Sequence, residues 1–205
     1  MRPERSSIQI GPLGIEYDDR VLTPRPWTQE QAEWAAAISA ELSAGPLLEL
    51  CCGVGHIGLL ATRLTGRRAV LVDSNAAASE LAEENARQAG LADLVEVRHG
   101  TVEGVLSPGE RFPLMLVDPP YIPSDQTGLF PGDPLSAIDG GPDGLDIVRV
   151  CLAVAAEHLA PGGAVVLQLR DAEQAHRVAE VSALYVVEVR TVPEKGALVR
   201  LRAHD

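Results

Sequence analysis

From Leu47 onward the chain alternates short apolar runs with helical patterns, which predicts an α/β fold of mostly parallel strands covered by helices on both faces. Three observations carry this. The runs Leu47–Leu50, Ala69–Asp73, Val95–His99, Leu114–Val117 and Ala164–Leu169 have the length and apolarity of buried strands. The stretches that follow Cys51, Ser74, Gly144 and Asp171 have helical periodicity or helix-start residues. Near the C-terminus, Tyr185–Val192 and Ala197–Arg202 flank Pro193–Gly196, a closing hairpin that ends the sheet with antiparallel strands and brings it to seven.

The elements follow in order. Ile8–Tyr17 reads as a small hairpin around Gly11-Pro12-Leu13-Gly14, and Leu22–Trp27 as a stiff extended segment. Thr28 with Gln31 predicts a capping box for a helix running to about Ser43, ended by Gly45-Pro46. Strand one, Leu47–Leu50, leads to a helix at Ile57–Thr65. After strand two, Ser74 is expected to cap a helix over Asn75–Ala89, stopped by Gly90. Leu145, Val148, Leu152, Ala155 and Leu159 share one face of a helix over Leu145–Leu159. Pro161-Gly162-Gly163 turns into strand five, and Asp171 with Gln174 caps the last helix. Pro119–Gly144 lacks periodicity, as functional loops of that length do.

The 205 residues suit a single domain, with residues 1–44 as a hairpin-and-helix extension and 45–205 as the core. Apolar residues make up 46%, enough for a packed globule, and no run reaches membrane-spanning length. Met1–Ser7 is polar and does not read as a secretion signal. Three cysteines, two of them adjacent, make no disulfide framework or zinc spacing, so a cytoplasmic protein without a metal is expected. Acidic residues outnumber basic ones 29 to 17, a net charge of −12 that opposes nucleic-acid binding and suits a cationic ligand.

Two loops carry the chemistry. After strand one, Glu49-Leu50-Cys51-Cys52-Gly53-Val54-Gly55 places small residues where a ligand can approach the backbone. Such turns also serve only to pack a helix on a sheet. Asp73 ends strand two like a carboxylate that accepts from two ribose hydroxyls. A dinucleotide fingerprint would need glycine at Cys51 and is absent. Strand four ends in Asp118-Pro119-Pro120-Tyr121. Two prolines fix the backbone and remove two N–H groups. The Asp118 side chain and the Pro119 carbonyl can then face one planar nitrogen carrying two hydrogens. The other reading is a plain strand-ending turn.

Together, Glu-x-x-x-Gly-x-Gly, the acid ending strand two and the D-P-P-Y loop resemble the class I S-adenosylmethionine-dependent methyltransferases. Val21–Pro26, Asp133–Asp146 and Leu159–Gly163 are similar to the HemK/PrmC family, which methylates a glutamine amide in peptide-chain release factors. The resemblance runs from about residue 8 to the C-terminus. It implies a Rossmann-like class I methyltransferase fold, S-adenosylmethionine as cofactor and S-adenosylhomocysteine as product. It further implies cofactor contacts from Glu49, Cys51, Gly53, Gly55, Asp73, Ser74, Thr101 and Asp118, and catalytic roles for Asp118, Pro119, Pro120 and Tyr121. The chain departs from the family at Cys51 (glycine there), Thr101 (an acid) and Asp118 (asparagine), and lacks room for the family's N-terminal helical domain. Some short members work with a small partner protein, so a partner or another substrate is open here.

The expected acceptor is a protein glutamine. A small-molecule nitrogen, a nucleic-acid adenine amino group, which the aspartate form permits, and a non-catalytic cofactor-binding role are the alternatives. His56 and His158 are expected at the surface, His99 as structural, Cys151 in the core, and Asp139 and Asp143 as turn residues. Trp27 and Trp34 are expected in packing, and Arg25 either steers a substrate or stiffens a connector.

Overall fold

A computed structural model describes residues 4–193 and 195–204. Met1–Pro3, Glu194 and Asp205 lie outside the described residues, and with them part of the polar Met1–Ser7 stretch and of the turn at Pro193–Gly196. Strands β1 (Ser6–Ile10) and β2 (Leu13–Tyr17) form an antiparallel hairpin. A 3-10 turn over Pro26–Thr28 leads into α1 (Gln29–Ser39). The core then runs β3 (Leu47–Leu50), α2 (His56–Thr65), β4 (Ala69–Asp73), α3 (Ala76–Gln88), β5 (Val95–His99) and β6 (Phe112–Val117). It continues with α4 (Leu135–Ile138), α5 (Asp146–His158), β7 (Leu159–Leu169), α6 (Ala172–Val181), β8 (Tyr185–Val192) and β9 (Gly196–Arg202).

The seven strands stand in the order β5-β4-β3-β6-β7-β9-β8. β5 through β7 are parallel, and β9 and β8 close the sheet antiparallel, as expected. Alternate strand residues feed two cores. Leu47, Leu71, Leu114 and Val166 face Trp34, Ile57, Leu60 and Leu81 on the side of α1, α2 and α3. Leu48, Val70, Met115 and Val165 face Val148, Cys151, Leu152 and Val178 on the side of α5 and α6. Among the described residues no helix is long and apolar enough to cross a membrane.

The chain builds β3, β4 and β5 outward in one direction, then returns to lay β6 on the other flank of β3. That reversal opens a crevice at the carboxyl ends of β3 and β6, the usual ligand position in such sheets. The loops after β3, β4 and β6 therefore meet at one place.

Several local expectations are corrected. Thr28 is helical in backbone, with φ −68° and ψ −9°, and makes no capping bond. Its hydroxyl is taken by the Arg25 carbonyl and by His56. Gln31 is fully buried and points to the sheet, so there is no capping box, and α1 ends at Ser39 rather than Ser43. Asn75, not Ser74, caps α3: its side chain accepts the Ala77 N–H at 2.9 Å. Ser74 is one residue too early to reach an N2 or N3 amide. The 119–144 stretch is not structureless, for it holds a 3-10 turn at Ser124–Leu129 and the short α4. The Asp171 cap is present, accepting the Gln174 N–H at 2.9 Å.

Candidate functional site

β3 delivers the chain into a tight turn. Cys51 has φ +59°, the one non-glycine residue with positive φ among those described. Gly53 follows at φ +53°, with open space where a side chain would stand, so its backbone is accessible from outside the sheet. Gly55 caps α2 in the left-handed region. Two acids brace this turn. Asp73 accepts the Gly53 N–H through Oδ2 at 2.7 Å and the Asn75 N–H through Oδ1 at 2.8 Å. Burial raises its pKa, and the N–H groups of Asn75 and Gly53 partly oppose that. Glu49 is wholly buried beneath the turn and accepts the Gly58 N–H at 3.0 Å, leaving Oε1 unpartnered. Burial pushes its carboxyl well above the usual carboxylate range, opposed by the Gly58 N–H and reinforced by Asp118 and Asp73.

β6 delivers the second loop. The Asp118 N–H approaches the Leu50 carbonyl at 3.4 Å, which sets this aspartate beside the end of β3. Gln31 holds the preceding residue, its amide donating to the carbonyls of Val117 at 3.0 Å and Val166 at 2.8 Å. Burial raises the Asp118 pKa to about 7. Burial, reinforced by Asp118, also raises that of Tyr121, and the Tyr121 carbonyl accepts from Gln174 at 2.8 Å.

The two loops open on one cavity of about 520 Å³, within the range of small-ligand sites. Of the residues expected to matter, Cys51, Gly53, Asp73, Ser74, Thr101, Asp118 and Pro120 line it. Glu49, Gly55, Pro119 and Tyr121 are not in its wall; Glu49 and Gly55 lie at or beneath the turn, and Pro119 and Tyr121 flank the wall residue Pro120. Val21–Arg25 add wall on one side and Ser136, Ala137 and Asp139 on another. These had no periodic or motif signal of their own beyond the family-like segments at 21–26 and 133–146.

His56 also lines the cavity and corrects the expectation of a surface histidine: it is 8% exposed. Its Nε2 lies 2.9 Å from the Thr28 hydroxyl, which donates its hydrogen to the Arg25 carbonyl at 2.7 Å. A carbonyl can only accept, so the hydroxyl must accept from His56, and Nε2 carries the proton. Burial lowers the His56 pKa to about 4, so the ring is neutral. His158 is buried too, its Nδ1 at 3.0 Å from the Glu110 carbonyl. Cys151 is in the core, and its sulfur lies 3.8 Å from that of Cys51, a contact that their separation in sequence did not reveal. Asp143 is a turn residue tied to Arg149 and Arg177, and Trp34 packs under Arg190 at 4.1 Å.

Known proteins resemble this chain in sequence and in fold. A protein family described as "Conserved hypothetical protein 95" matches residues 25–129. The chain is 36% identical over 163 residues to a release factor glutamine methyltransferase of Gloeobacter violaceus, covering 77% of this chain and 57% of that protein. It is 31% identical over 177 residues to a ribosomal protein uL3 glutamine methyltransferase of Bradyrhizobium diazoefficiens, covering 80% of this chain and 55% of that one. The chain thus spans little more than half the length of these curated relatives. A methyltransferase crystal structure from Pyrococcus furiosus shares the fold, with a TM-score of 0.67 at 21% identity over 94% of this chain and 90% of that one. The expected resemblance to release factor glutamine methyltransferases is therefore found in sequence, and the Rossmann-like methyltransferase fold in structure. The family match takes in the glycine turn, Asp73 and Asp118 and exceeds half of the chain, which belongs to the family described as Conserved hypothetical protein 95.

Proposed function

We propose that this chain is an S-adenosylmethionine-dependent methyltransferase that transfers a methyl group to the side-chain amide nitrogen of a protein glutamine. One observation supports it above the others: Asp118 and Pro120 share a cavity wall with Gly53 and Asp73. Donor-side and acceptor-side groups thus open on the same space. The residues fit a nucleoside carrying an amino acid. Gly53 leaves its backbone open, and Asp73 keeps lone pairs beyond those given to Gly53 and Asn75. The wall carries acids at Asp73, Glu103, Asp118 and Asp139 against one base, Arg25, which suits a cationic ligand.

When bound, the cofactor supplies an electrophilic methyl group. The protein's task is orientation, because an amide lone pair is delocalised and attacks poorly. Holding the nitrogen in line can contribute on the order of 7–11 kcal/mol. Asp118 and the Pro119 carbonyl would each accept one N–H and so fix the amide plane. Tyr121 would cover its flat face. Ionised Asp118 would also accept the proton released on transfer, which the asparagine of related sequences does less readily. Asp73 would hold the ribose, and Ser74 and Thr101 the neighbouring nucleoside edge. The Gly53–Gly55 backbone would line the amino-acid end, with Cys51 and Glu49 shaping that turn.

The relatives named for release factor and for ribosomal protein uL3 both act on glutamine, which favours a protein acceptor over a small molecule. A partner protein and a cytoplasmic setting belong to the same reading. Tritiated S-adenosylmethionine incubated with release factor, uL3, RNA and DNA tests it. Label in a protein, released as N5-methylglutamine on digestion, is the expected result. Asp118→Ala should abolish transfer and leave S-adenosylhomocysteine affinity nearly unchanged. Full turnover in that variant, or label only in nucleic acid, overturns the assignment.

A further inference from the structure

Two stretches far apart in sequence, 21–28 and 119–144, complete the cavity around the strand ends. One ion pair joins them. Arg25 Nη2 lies 2.5 Å from Asp133 Oδ2, with the Asp133 side chain only 15% exposed and that of Arg25 34%. A pair partly withdrawn from water is screened less than a surface pair.

Both ends of this pair are anchored. Arg25 stands between Pro24 and Pro26, whose rings fix the backbone. Its carbonyl accepts from Thr28, which in turn accepts from His56, the first residue of α2. Its guanidinium lies 5.8 Å from the centre of the Trp27 ring. Arg25 is thus tied from behind to the helix that follows the glycine turn. Asp133 belongs to an excursion whose two legs are stitched together: Ile122 N–H donates to Ile138, Gly140 N–H to Ile122, and Ser124 N–H to Gly141. Asp139 adds bonds from the Ser124 hydroxyl and the Gly141 N–H. A tether at Asp133 therefore places the excursion that supplies Ser136 and Ala137 to the wall and begins at Pro120.

We propose that Arg25 and Asp133 are a positioning pair, which sets the 119–144 segment against the acceptor end of the cavity. Neither residue needs to touch the reacting atoms. The effect on transfer rests on the methyltransferase reading above; the tether itself does not. Loss of the pair should loosen the acceptor end and spare the end built from Gly53 and Asp73.

The test uses the full chain with Arg25→Gln, Asp133→Asn, the double variant, and the exchanged pair Arg25→Asp with Asp133→Arg. Hydrogen exchange of the ligand-free protein is read across residues 124–139. Each single variant should exchange about fivefold to tenfold faster, the double no faster than either single, and the exchanged pair should return toward the parent. With tritiated donor and purified release factor, the acceptor KM of Asp133→Asn, whose residue is not in the cavity wall, should rise about tenfold while its S-adenosylhomocysteine affinity by calorimetry stays within about twofold. Exchange in Asp133→Asn equal to the parent, or single effects that add in the double, overturns the pair. A parent that binds no S-adenosylhomocysteine overturns the methyltransferase reading and the acceptor role with it. A parent that transfers methyl with Asp133→Asn matching its acceptor KM overturns the acceptor role alone.

Discussion

Gln31 donates its side-chain amide to the carbonyl of Val117, the residue immediately before Asp118, and a second bond from the same nitrogen reaches Val166. A buried glutamine on α1 thus clamps the end of β6 to the neighbouring β7 directly behind the proposed acceptor loop. Gln31→Leu removes the donor and leaves two buried carbonyls without it. An orphaned buried acceptor costs about 1–3 kcal/mol. Urea unfolding should show a loss of about 2–3 kcal/mol. Transfer at a temperature where the variant is folded should fall more than donor affinity, because Asp118 loses its fixed neighbour.

Gly58 leaves no space for a side chain. A methyl group there would stand 2.3 Å from Glu49 Oε2 and 2.5 Å from Leu71 Cδ2. Both obstacles are fully buried, so neither can swing into solvent. Gly58→Ala gains helix propensity but must displace the carboxyl that accepts its own N–H. The expected outcome is a net loss of about 1–3 kcal/mol, measured by urea unfolding. An unchanged midpoint would mean that Glu49 does not brace the turn from below.

Cys51 occupies a left-handed conformation that costs a residue with Cβ roughly 1–2 kcal/mol. Cys51→Gly relieves that cost and gives up the sulfur contact with Cys151. The melting temperature should rise by a few degrees, since about 1 kcal/mol corresponds to roughly 2–4 °C in a chain of this size. A fall would show that the thiol contact outweighs the backbone strain.

Asp73→Ala should weaken S-adenosylhomocysteine binding by at least about tenfold, the effect of losing one charge-assisted hydrogen bond. Asp73→Asn is the sharper variant. Its one carbonyl oxygen can serve Gly53 or Asn75 but not both, so the turn loosens even without ligand. Calorimetry gives the affinity, and hydrogen exchange at Gly53 and Asn75 gives the turn. Parental affinity in Asp73→Ala would remove this residue from the site.

β3, β4 and β6 were legible because each is a short apolar run buried on both faces, and the edge strand β5 because its valines alternate with polar residues. Leu47–Leu50, Ala69–Asp73 and Val95–His99 have the bounds the sequence pattern predicts. The parallel sheet and its antiparallel close were legible in the alternation of elements and the final hairpin; the strand order, which brings Asp73 and Asp118 to one cavity, is set by the tertiary fold. Four of the misreadings share one cause. Thr28, Gln31, His56 and His158 are polar residues whose partners lie far off in the chain, at His56, Val117, Thr28 and Glu110. Local pattern places such residues in caps or at the surface, and only the tertiary fold supplies their partners. The same holds for the wall at Ser136 and Asp139, which no periodicity marks, and for the Arg25–Asp133 pair.

Among the buried groups through which acidity acts on this protein, Asp118 and His56 titrate with opposite sign. Burial raises the Asp118 pKa to about 7. The folded state then holds a proton there that the unfolded chain has already lost, so this group's contribution to stability declines as pH rises from about 4 to about 7. Burial lowers the His56 pKa to about 4. There the unfolded chain binds the proton first, so stability is lost as pH falls from about 6.5 toward 4. On acidification through that shared window Asp118 offsets His56. Asp118→Asn removes this part of the offset and also the charge that helps raise Glu49, while Asp73 keeps its own raised carboxyl. Its melting temperature should therefore fall faster than the parent's between pH 6.5 and pH 4.5. Transfer responds the other way. Only ionised Asp118 can accept both an N–H and the released proton, so the parent's rate should climb through about pH 7 and level above it. Asp118→Asn should be slower and flat across the same range. Parallel melting curves against pH, together with a parent rate that does not change between pH 6 and pH 8, would show that Asp118 is ionised throughout and that its burial does not govern the reaction.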